Sequence, residues 1–217
     1  MNKSIKIDSV FLDFGPNKVL RGVSLEFHKN QVTGILGRNG CGKSCLLKTI
    51  TGRLSPQSKH IQYDERKLEN LYKIKGLINY LPQHEFHPHS LPLFKLLDFY
   101  GIDRDYFLDE YRFLEKCINS KFSMISGGER RIIEVLIILE AKSEYTILDE
   151  PFSHVMPKYI DLIKDRINKL KSDKGILLTD HQYENVLEVS DNIYLLSQGI
   201  IREVEEIEDL KVYGYIR

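Results

Sequence analysis

The sequence predicts an α/β fold with a mainly parallel sheet, an N-terminal antiparallel β part and an inserted helical lobe. Short apolar runs at 145–149 and 175–179 are typical of buried parallel strands. Helical patterns alternate with these runs, which is the arrangement of βα units in a parallel sheet. Polar and apolar residues alternate in 4–14 and 18–28, on either side of a Gly-Pro-Asn turn at 15–17, and they predict two N-terminal strands.

The remaining elements follow from the same patterns. A strand over 31–36 leads into a glycine-rich turn and a helix over 43–52. Aromatic and leucine residues at helical spacing between 84 and 122 indicate a helical lobe, at about 84–126, inserted in one domain of 1–217. Further predicted elements are strand pieces within 60–82, helices over 93–100, 106–118, 128–141 and 157–172, and a hairpin of 192–196 and 200–204.

Composition excludes several classes of protein. The chain has 217 residues, 42% of them apolar, so it can form a substantial core. Its formal net charge of +0 argues against nucleic-acid binding driven by net charge. The N-terminus shows no signal peptide and no apolar stretch is long enough to span a membrane. Three cysteines without framework spacing indicate free thiols in a reducing compartment, so a cytoplasmic protein is expected.

A phosphate-binding motif follows the predicted strand at 31–36. GRNGCGKS, residues 37–44, fits G-x-x-x-x-G-K-[ST], and a predicted helix follows it. Glycines let the backbone direct several N–H groups at one anion, and the helix start adds its positive dipole end. Lys43 would reach the outer phosphates and the Ser44 hydroxyl would ligate Mg²⁺. The motif predicts a P-loop NTPase core that binds ATP and Mg²⁺.

Two acids end the predicted strand at 145–149. Asp149 and Glu150 would face water if the strand simply ran out of core, but a P-loop requires an acidic group for Mg²⁺ at a neighbouring strand end. We therefore expect Asp149 on the metal side and Glu150 to polarise the attacking water. Alternation of side chains along a strand would let adjacent residues take these two roles.

The phrase SGGERR, residues 126–131, resembles the signature of ABC-type ATPases, since it lies between a P-loop and a strand ending in Asp-Glu. In that family two nucleotide domains pair head to tail, so the resemblance implies that Ser126, Gly127 and Gly128 contact the γ-phosphate of the partner's nucleotide. Gln83, in YLPQ, looks like the glutamine that senses Mg²⁺ or water. His181 looks like the histidine that contacts the γ-phosphate.

The resemblance also implies an aromatic residue stacked on adenine, for which Phe14 is the candidate and Phe11 the rival. Catalytic candidates are Glu150, His181 and Gln83, and metal candidates are Ser44, Gln83 and Asp149. The nucleotide-binding candidates are Phe14, Gly37, Arg38, Asn39, Gly40, Cys41, Gly42, Lys43, Ser44, Cys45, Ser126, Gly127, Gly128 and Glu129.

Two departures from the family pattern stand out. The usual Leu-Ser-Gly-Gly-Gln is Ile-Ser-Gly-Gly-Glu here, and Met156 occupies the position of an Asp that couples the two sites of the dimer. A thioether cannot accept strong charge-assisted hydrogen bonds, so weaker coupling is expected. Within the family, YLPQ, SGGERR, DEPF-x-x-V-x-P, LLTDH and VYGY resemble the lipopolysaccharide-export and branched-chain amino-acid transport ATPases.

The resemblance implies the ATP-hydrolysing subunit of a membrane transporter, working as a dimer, with a homodimer favoured. A transmembrane permease would hold it at the inner face of the membrane, and no direct nucleic-acid binding is expected. Two alternatives stay open: a soluble ABC module acting mechanically on protein or nucleic-acid complexes, and a regulatory subunit that binds ATP with weak or no hydrolysis.

Three weaker patterns complete the sequence-based expectations. Zinc binding by His84, His87 and His89 is conceivable, but a solvated loop is favoured since no cysteine or acidic quartet accompanies them. A basic run between 164 and 174 predicts an exposed helix face. Hydrophobic residues suited to a groove for a partner helix, or to the core of the lobe, are Phe86, Leu91, Leu93 and Phe94.

Overall fold

The computed structural model describes residues 3–216, which form two β-sheets and a set of surrounding helices. The strands are β1 (Ser4–Phe14), β2 (Asn17–His28), β3 (Val32–Leu36), β4 (Ser58–Tyr63), β5 (Arg66–Leu68), β6 (Ile78–Leu81), β7 (Tyr145–Asp149), β8 (Gly175–Thr179), β9 (Asn192–Ser197) and β10 (Ile200–Val204). The α-helices are α1 (Lys43–Ile50), α2 (Leu93–Tyr100), α3 (Arg104–Glu110), α4 (Gly127–Glu140), α5 (Ile160–Leu170), α6 (Tyr183–Val189) and α7 (Ile207–Val212).

The larger sheet has the strand order β10-β9-β3-β8-β7-β6. Its neighbours from β9 to β6 are parallel, and only the β9–β10 hairpin is antiparallel. Every residue of β3, β7 and β8 is buried, as expected for strands covered on both faces. The predicted mainly parallel sheet is thus confirmed, and the carboxyl ends of β3, β6, β7 and β8 lie along one edge.

The smaller sheet, β2-β1-β4-β5, is antiparallel throughout, which confirms the prediction for the N-terminal part. Its apolar face packs with α1 against one face of the larger sheet, where Ile7, Leu25, Leu47 and Ile147 are fully or almost fully buried. The opposite face of the larger sheet carries the second apolar core, formed chiefly with α4 and α5.

The segment between β6 and α4 is helical, but its second predicted helix is shorter than expected. The sequence predicts a helix over 106–118, whereas α3 ends at Glu110 and a 3₁₀ helix, Arg112–Cys117, follows. Tyr111 separates them, with φ −128° and ψ 53°, outside the helical region. Its ring is buried against Phe107, so packing of that ring accompanies the break.

The prediction that the basic run between 164 and 174 forms an exposed helix face is wrong for two of its residues, Arg166 on α5 and Lys174 after the end of α5. Arg166 and Lys174 are only 4% and 5% exposed. The Lys174 ammonium donates to the carbonyl oxygens of Leu139 and Ala141 at the end of α4 (2.6 and 3.0 Å). These carbonyls have no partner within the helix, so a buried cation satisfies them.

Arg166 joins α5 to α4 and α3. Its guanidinium donates to both oxygens of the Glu140 carboxylate, to Glu110 and to the Tyr106 hydroxyl, and Tyr111 also donates to Glu140. Every polar side-chain atom of Arg166 therefore has a hydrogen-bond partner. Among residues 3–216, no helix is long and apolar enough to cross a lipid bilayer.

Glu140→Ala should lower the free energy of unfolding by about 3–5 kcal/mol, because it leaves the buried Arg166 charge without its main partner. Urea unfolding followed by circular dichroism measures this loss. Lys169→Ala is the matched control, since this lysine is 64% exposed in its ion pair with Glu110 and should matter by less than about 1 kcal/mol. Equal effects of the two substitutions would contradict the importance of the buried pair.

Candidate functional site

The loop between β3 and α1 has a backbone shape that requires glycine at two positions. A Cβ atom on Gly37 would lie 2.5 Å from the Leu196 carbonyl oxygen and 2.6 Å from Cys41 Sγ. Gly42, at the start of α1, has φ +108°, a conformation that side chains strongly disfavour. The Lys43 ammonium turns into the loop and donates to the Gly37 carbonyl oxygen (2.7 Å). The sequence motif therefore forms the closed loop that its spacing predicts.

The start of α1 suits an anion. No side chain caps this helix, and no acidic residue occupies its first turn, so the positive end of the helix dipole is not neutralised locally. A Cβ atom added to Gly40 would meet nothing within 4 Å, which leaves the approach to the loop open. Backbone N–H groups at such a helix start are the usual partners of phosphate oxygens.

Asp149 is buried at the end of β7 and faces Ser44. The Ser44 hydroxyl donates to its Oδ1 atom (3.0 Å), and the Tyr80 hydroxyl donates to Oδ2 (3.2 Å). Burial raises the pKa of Asp149 above its usual range, against the effect of these two hydrogen bonds. The acid is 0% exposed, so the interpretation of this strand end as facing water is excluded.

Glu150 leaves the strand instead of continuing it. Its φ of +54° lies in the left-handed region, rare for a residue with a long side chain. Its N–H donates to the Thr179 carbonyl oxygen (2.8 Å), which holds this conformation. We expected strand alternation to separate the side chains of Asp149 and Glu150; the strand ends at Asp149, and the left-handed turn redirects Glu150 instead. Backbone strain of this kind is concentrated at functional sites.

His181 and Ser153 lie beside Glu150. His181 Nδ1 is 3.7 Å from Glu150 Oε2 and 3.1 Å from Ser153 Oγ. Ser153 Oγ is itself 3.2 Å from both Glu150 Oε2 and Asp180 Oδ1. The loops after β7 and β8 are therefore joined by side-chain hydrogen bonds around one carboxylate.

Asp180 received no role from sequence reasoning, yet it organises these two loops. It is 0% exposed and accepts hydrogen bonds from the backbone N–H groups of Phe152 (2.8 Å) and Gln182 (3.0 Å). Its place directly after a buried strand and before His181 was the available signal.

Arg131 was also missed. Its guanidinium donates to the carbonyl oxygens of Pro82 (2.9 Å), Asp149 (3.0 Å) and Glu150 (2.9 Å), so it ties together the ends of β6 and β7. The signal was an arginine inside a helix that otherwise continues as an apolar run.

The cleft beside the loop brings together most of the predicted residues from different strands. Its lining includes Phe14, Gly40, Gly42, Lys43, Ser44, Cys45, Asn39, Gln83, Glu150 and His181. Phe14 lies at the end of β1 with half of its surface exposed, whereas the ring of Phe11 lies close to Gly22 of β2. The geometry thus favours Phe14 over Phe11 as the aromatic wall of the cleft.

Two predicted residues of the loop, Arg38 and Cys41, do not line this cleft. The Arg38 guanidinium donates to the Gly214 carbonyl oxygen (2.8 Å) in the C-terminal segment. The Cys41 sulfur lies against Gly37, in the space that a Cβ atom on that glycine would occupy. Burial raises the pKa of the Cys41 thiol. Burial also raises the pKa of the Cys45 thiol at the cleft. The three cysteines are all unpaired, as the sequence predicts.

The signature residues lie outside the P-loop cleft. Ser126 caps α4, with its Oγ accepting the Glu129 N–H (3.4 Å) and donating to the Glu129 carboxylate (2.7 Å), which also binds Lys116. Gly127 and Gly128 line a second cleft, together with Gln83, His84, Glu85, Arg131 and His154. Met156 packs near Gly128, where an added Cβ would lie 3.5 Å from its Cγ.

The histidine cluster does not form a metal site. Within residues 3–216, no group of three or more His, Cys, Asp or Glu side chains could hold a metal ion. The expectation of a solvated loop is wrong for His87, which is buried and hydrogen-bonded to Glu134 (3.1 Å). Leu93 belongs to the core, while Leu91 is 37% exposed.

The donor set fits ATP and Mg²⁺. Mg²⁺ prefers oxygen ligands and keeps several waters, so one hydroxyl and one carboxylate beside bound phosphates suffice. Ser44 and Asp149 offer those two oxygens 3.0 Å apart. A divalent cation would also stabilise the buried Asp149 carboxylate, whose ionised form burial disfavours. The arrangement defines a P-loop nucleotide-binding protein.

Comparisons with known proteins carry the assignment to a family. A family profile described as "ABC transporter" matches residues 20–153, and the chain belongs to this family. It is 32% identical over 213 residues to LivF of Archaeoglobus fulgidus, named a probable branched-chain amino acid transport ATP-binding protein (92% of this chain, 89% of LivF). It is 30% identical over 197 residues to LptB of Escherichia coli, the lipopolysaccharide export system ATP-binding protein (84% and 82%).

These two relatives represent both subgroups whose phrases the sequence resembles, so the narrower resemblance is confirmed. The fold agrees with solved structures. The "ATP binding subunit of ABC transporter" superposes with a TM-score of 0.83 at 21% identity, covering 97% of this chain and 93% of that one. A nucleotide-free ATP-binding cassette gives 0.78 at 23% identity, covering 98% and 94%.

Asp149→Asn should stabilise the nucleotide-free protein relative to wild type at neutral pH. The raised pKa means that the folded state holds the Asp149 proton more tightly than the unfolded chain. Wild-type stability therefore falls as pH rises from the ordinary aspartate range through the raised pKa. The advantage of Asn should vanish in acid, where Asp149 is protonated in both states. Urea midpoints of both proteins against pH measure it, and a pH-independent difference would contradict the argument.

Proposed function

We propose that this protein is the ATP-binding and ATP-hydrolysing subunit of a membrane ABC transporter. The observation that carries the proposal is the arrival of Lys43, the Ser44–Asp149 pair, Glu150 and His181 at one strand edge, although they come from three different strand ends. A fold alone would not require these groups to meet, whereas nucleotide hydrolysis uses phosphate-binding, metal-binding and water-activating groups together.

The side chains divide the chemistry. Lys43 and the N–H groups at the start of α1 bind the phosphates, and Phe14 forms the wall against the base. Ser44 and Asp149 would hold Mg²⁺, which would supply positive charge against the phosphate oxygens. Glu150, which lines the cleft beside His181, accepts a proton from the attacking water. His181 and Gln83 line the cleft where the γ-phosphate would lie, and they orient that phosphate.

A second nucleotide-binding domain completes the site in this proposal. Ser126, Gly127 and Gly128 lie at an exposed helix start outside the chain's own P-loop cleft, so they are free to meet the nucleotide of a partner. We propose a homodimer, with residues 1–217 forming one ATPase domain and about 84–126 its helical lobe.

The names of the relatives support a permease as the further partner. LivF and LptB are named for transport systems, and a subunit of this kind would be attached to the cytoplasmic face of the membrane through a permease. The molecule transported is set by that permease.

Met156 is the one feature that favours the regulatory alternative. It packs at the signature helix where a carboxylate would be expected to link two sites. Its thioether offers no strong acceptor, so communication between the two nucleotides should be weak. Lys43, Asp149, Glu150 and His181 are all present, however, and they favour hydrolysis at each site.

Glu150→Gln should lower kcat for Mg²⁺-dependent ATP hydrolysis by at least about 100-fold, since a general base contributes on that scale. ATP affinity should stay within a few-fold, because the substituted amide keeps the size and shape of the carboxylate side chain. Phosphate release gives kcat, and equilibrium titration with a fluorescent ATP analogue gives affinity. The variant should also accumulate as an ATP-bound dimer in size-exclusion chromatography.

Lys43→Ala is the control that separates binding from chemistry, since it should lose ATP binding itself. Hydrolysis by Glu150→Gln at the wild-type rate would remove Glu150 from its catalytic role. Wild-type protein that binds ATP without any Mg²⁺-dependent turnover would favour the regulatory alternative.

Tagged Glu150→Gln protein, incubated with ATP and Mg²⁺ in gently solubilised host membranes, should co-purify with a polytopic membrane protein. The ATP-bound form is expected to hold the permease because hydrolysis cannot release it. Mass spectrometry identifies the co-purified chain, and Lys43→Ala serves as the control for nucleotide-independent capture. Recovery of only soluble proteins or nucleic acid would support the mechanical alternative.

A further inference from the structure

A series of buried polar side chains, which begins with Arg131, runs from the nucleotide cleft to α2. It consists of Arg131, Glu134, His87 and Tyr100. The first three are 3%, 0% and 6% exposed, so three groups that usually face water are almost completely buried.

The series of polar side chains begins with Arg131, at the ends of β6 and β7. Arg131 donates to the carbonyl oxygens of Pro82, Asp149 and Glu150, at 2.9–3.0 Å. Pro82 directly precedes Gln83, so a single guanidinium fixes the peptide groups from which Gln83 and Glu150 depart. A shift of Arg131 would change the relative position of these two residues.

Glu134 compensates the Arg131 charge and accepts hydrogen bonds from the loop after Gln83. Its Oε2 atom is 3.6 Å from Arg131 Nη1. Its Oε1 atom accepts hydrogen bonds from the N–H of Phe86 (3.1 Å) and from His87 Nδ1 (3.1 Å). Burial acts to raise the pKa of Glu134, but the hydrogen bonds from His87 and Phe86, together with the nearby Arg131 charge, leave it below its usual range.

His87 connects Glu134 to Tyr100, the last residue of α2, through its two ring nitrogens. A carboxylate accepts but does not donate, so Nδ1 bears the proton and Nε2 faces the Tyr100 hydroxyl at 3.1 Å. The rings of Phe86, Tyr100 and Phe122 surround the imidazole, with centroid distances of 4.0, 5.5 and 5.8 Å. The imidazole is therefore held in one orientation by packing as well as by hydrogen bonds.

Incomplete hydrogen bonding distinguishes this series of side chains from the structural network around Arg166. Among residues 3–216, no protein group hydrogen-bonds to the buried Arg131 Nε or Glu134 Oε2, whereas every guanidinium nitrogen of Arg166 on α5 has such a partner. Buried charged groups with unused hydrogen-bonding capacity destabilise the fold, so their presence calls for a reason other than stability.

We propose that Arg131, Glu134, His87 and Tyr100 form a positioning network that couples nucleotide binding at the P-loop cleft to the position of α2. The inference rests on the proposed function, since it concerns the same nucleotide site. Movement of the Asp149–Glu150 peptide on nucleotide binding would shift Arg131, and Glu134 and His87 would pass that shift to α2. The residues touch neither substrate nor metal in this role.

Two substitutions interrupt the network at different links. Glu134→Gln removes the charge facing Arg131 with little change in volume, and Tyr100→Phe removes only the hydroxyl that contacts His87. Tyr111→Phe is the matched control, because its hydroxyl donates to Glu140, which lies on α4 like Glu134 but belongs to the fully satisfied network. Thermal unfolding of all three variants first establishes that each is folded.

Hydrogen–deuterium exchange of full-length protein with and without Mg²⁺-ATP provides the first readout. In the wild type and in Tyr111→Phe, nucleotide should change the exchange of residues 93–100. In Glu134→Gln and Tyr100→Phe this change should be lost, while ATP affinity stays within about threefold. A nucleotide response of α2 in both network variants that equals that of wild type would overturn the proposal.

Steady-state kinetics provide the second readout. Loss of a single buried hydrogen bond corresponds to about three- to tenfold, and we expect Tyr100→Phe to lower kcat by that amount with KM unchanged. Glu134→Gln combined with Tyr100→Phe should lose no more than Glu134→Gln alone, since both interrupt one path. Multiplicative losses in the double variant, or an equal kcat loss in Tyr111→Phe, would contradict the coupling.

These measurements separate the two proposals. A wild-type chain that binds ATP without hydrolysing it would contradict the proposed hydrolysis, and the exchange experiment would still decide on the network. Normal wild-type hydrolysis with an unaltered α2 response in the variants would reject the network alone. A wild-type chain without ATP binding would reject both.

Discussion

Parallel strands of one sheet end at a common edge, and this geometry brings the functional groups together. The phosphate-binding loop follows β3, Gln83 follows β6, Asp149 ends β7 with Glu150 directly after it, and His181 follows β8. Because β3, β8, β7 and β6 are consecutive neighbours, these groups arrive within one cleft although they are up to 144 residues apart along the chain. Hydrophobic burial of the strands on both faces fixes this register, so the apolar core positions the polar chemistry.

Charged groups in the interior are held by peptide carbonyl and N–H groups as much as by opposite charges. Arg131 binds three carbonyl oxygens, Lys174 binds two, and Asp180 accepts two backbone N–H groups. Such partners define the course of loops that have no regular structure of their own. Glu150 shows the consequence, since its left-handed turn is bounded by the Thr179 carbonyl on one side and Arg131 on the other.

Local patterns predicted the elements well where one physical cause dominates. Apolar runs located β7 and β8 at their observed bounds, and the glycine spacing located the loop before α1. Prediction failed where a distant partner decides. Arg166 and Lys174 were predicted to form an exposed basic face because nothing nearby in the sequence reveals Glu140 or the carbonyls that end α4. His87 was predicted to be solvated because Glu134 lies 47 residues away. The short helices α6 and α7 carry too few turns for a periodic signal.

The sequence by itself determined the class of fold, the phosphate-binding loop and the pair of acids at a strand end, because each depends on residues adjacent in the chain. Only the tertiary structure decided that Ser44 donates to Asp149, that Phe14 and not Phe11 lines the cleft, and that Arg131 connects two strand ends. The reason is physical. Hydrogen bonds and burial depend on distances of a few ångströms between segments far apart in the chain, and packing of the whole sheet sets those distances.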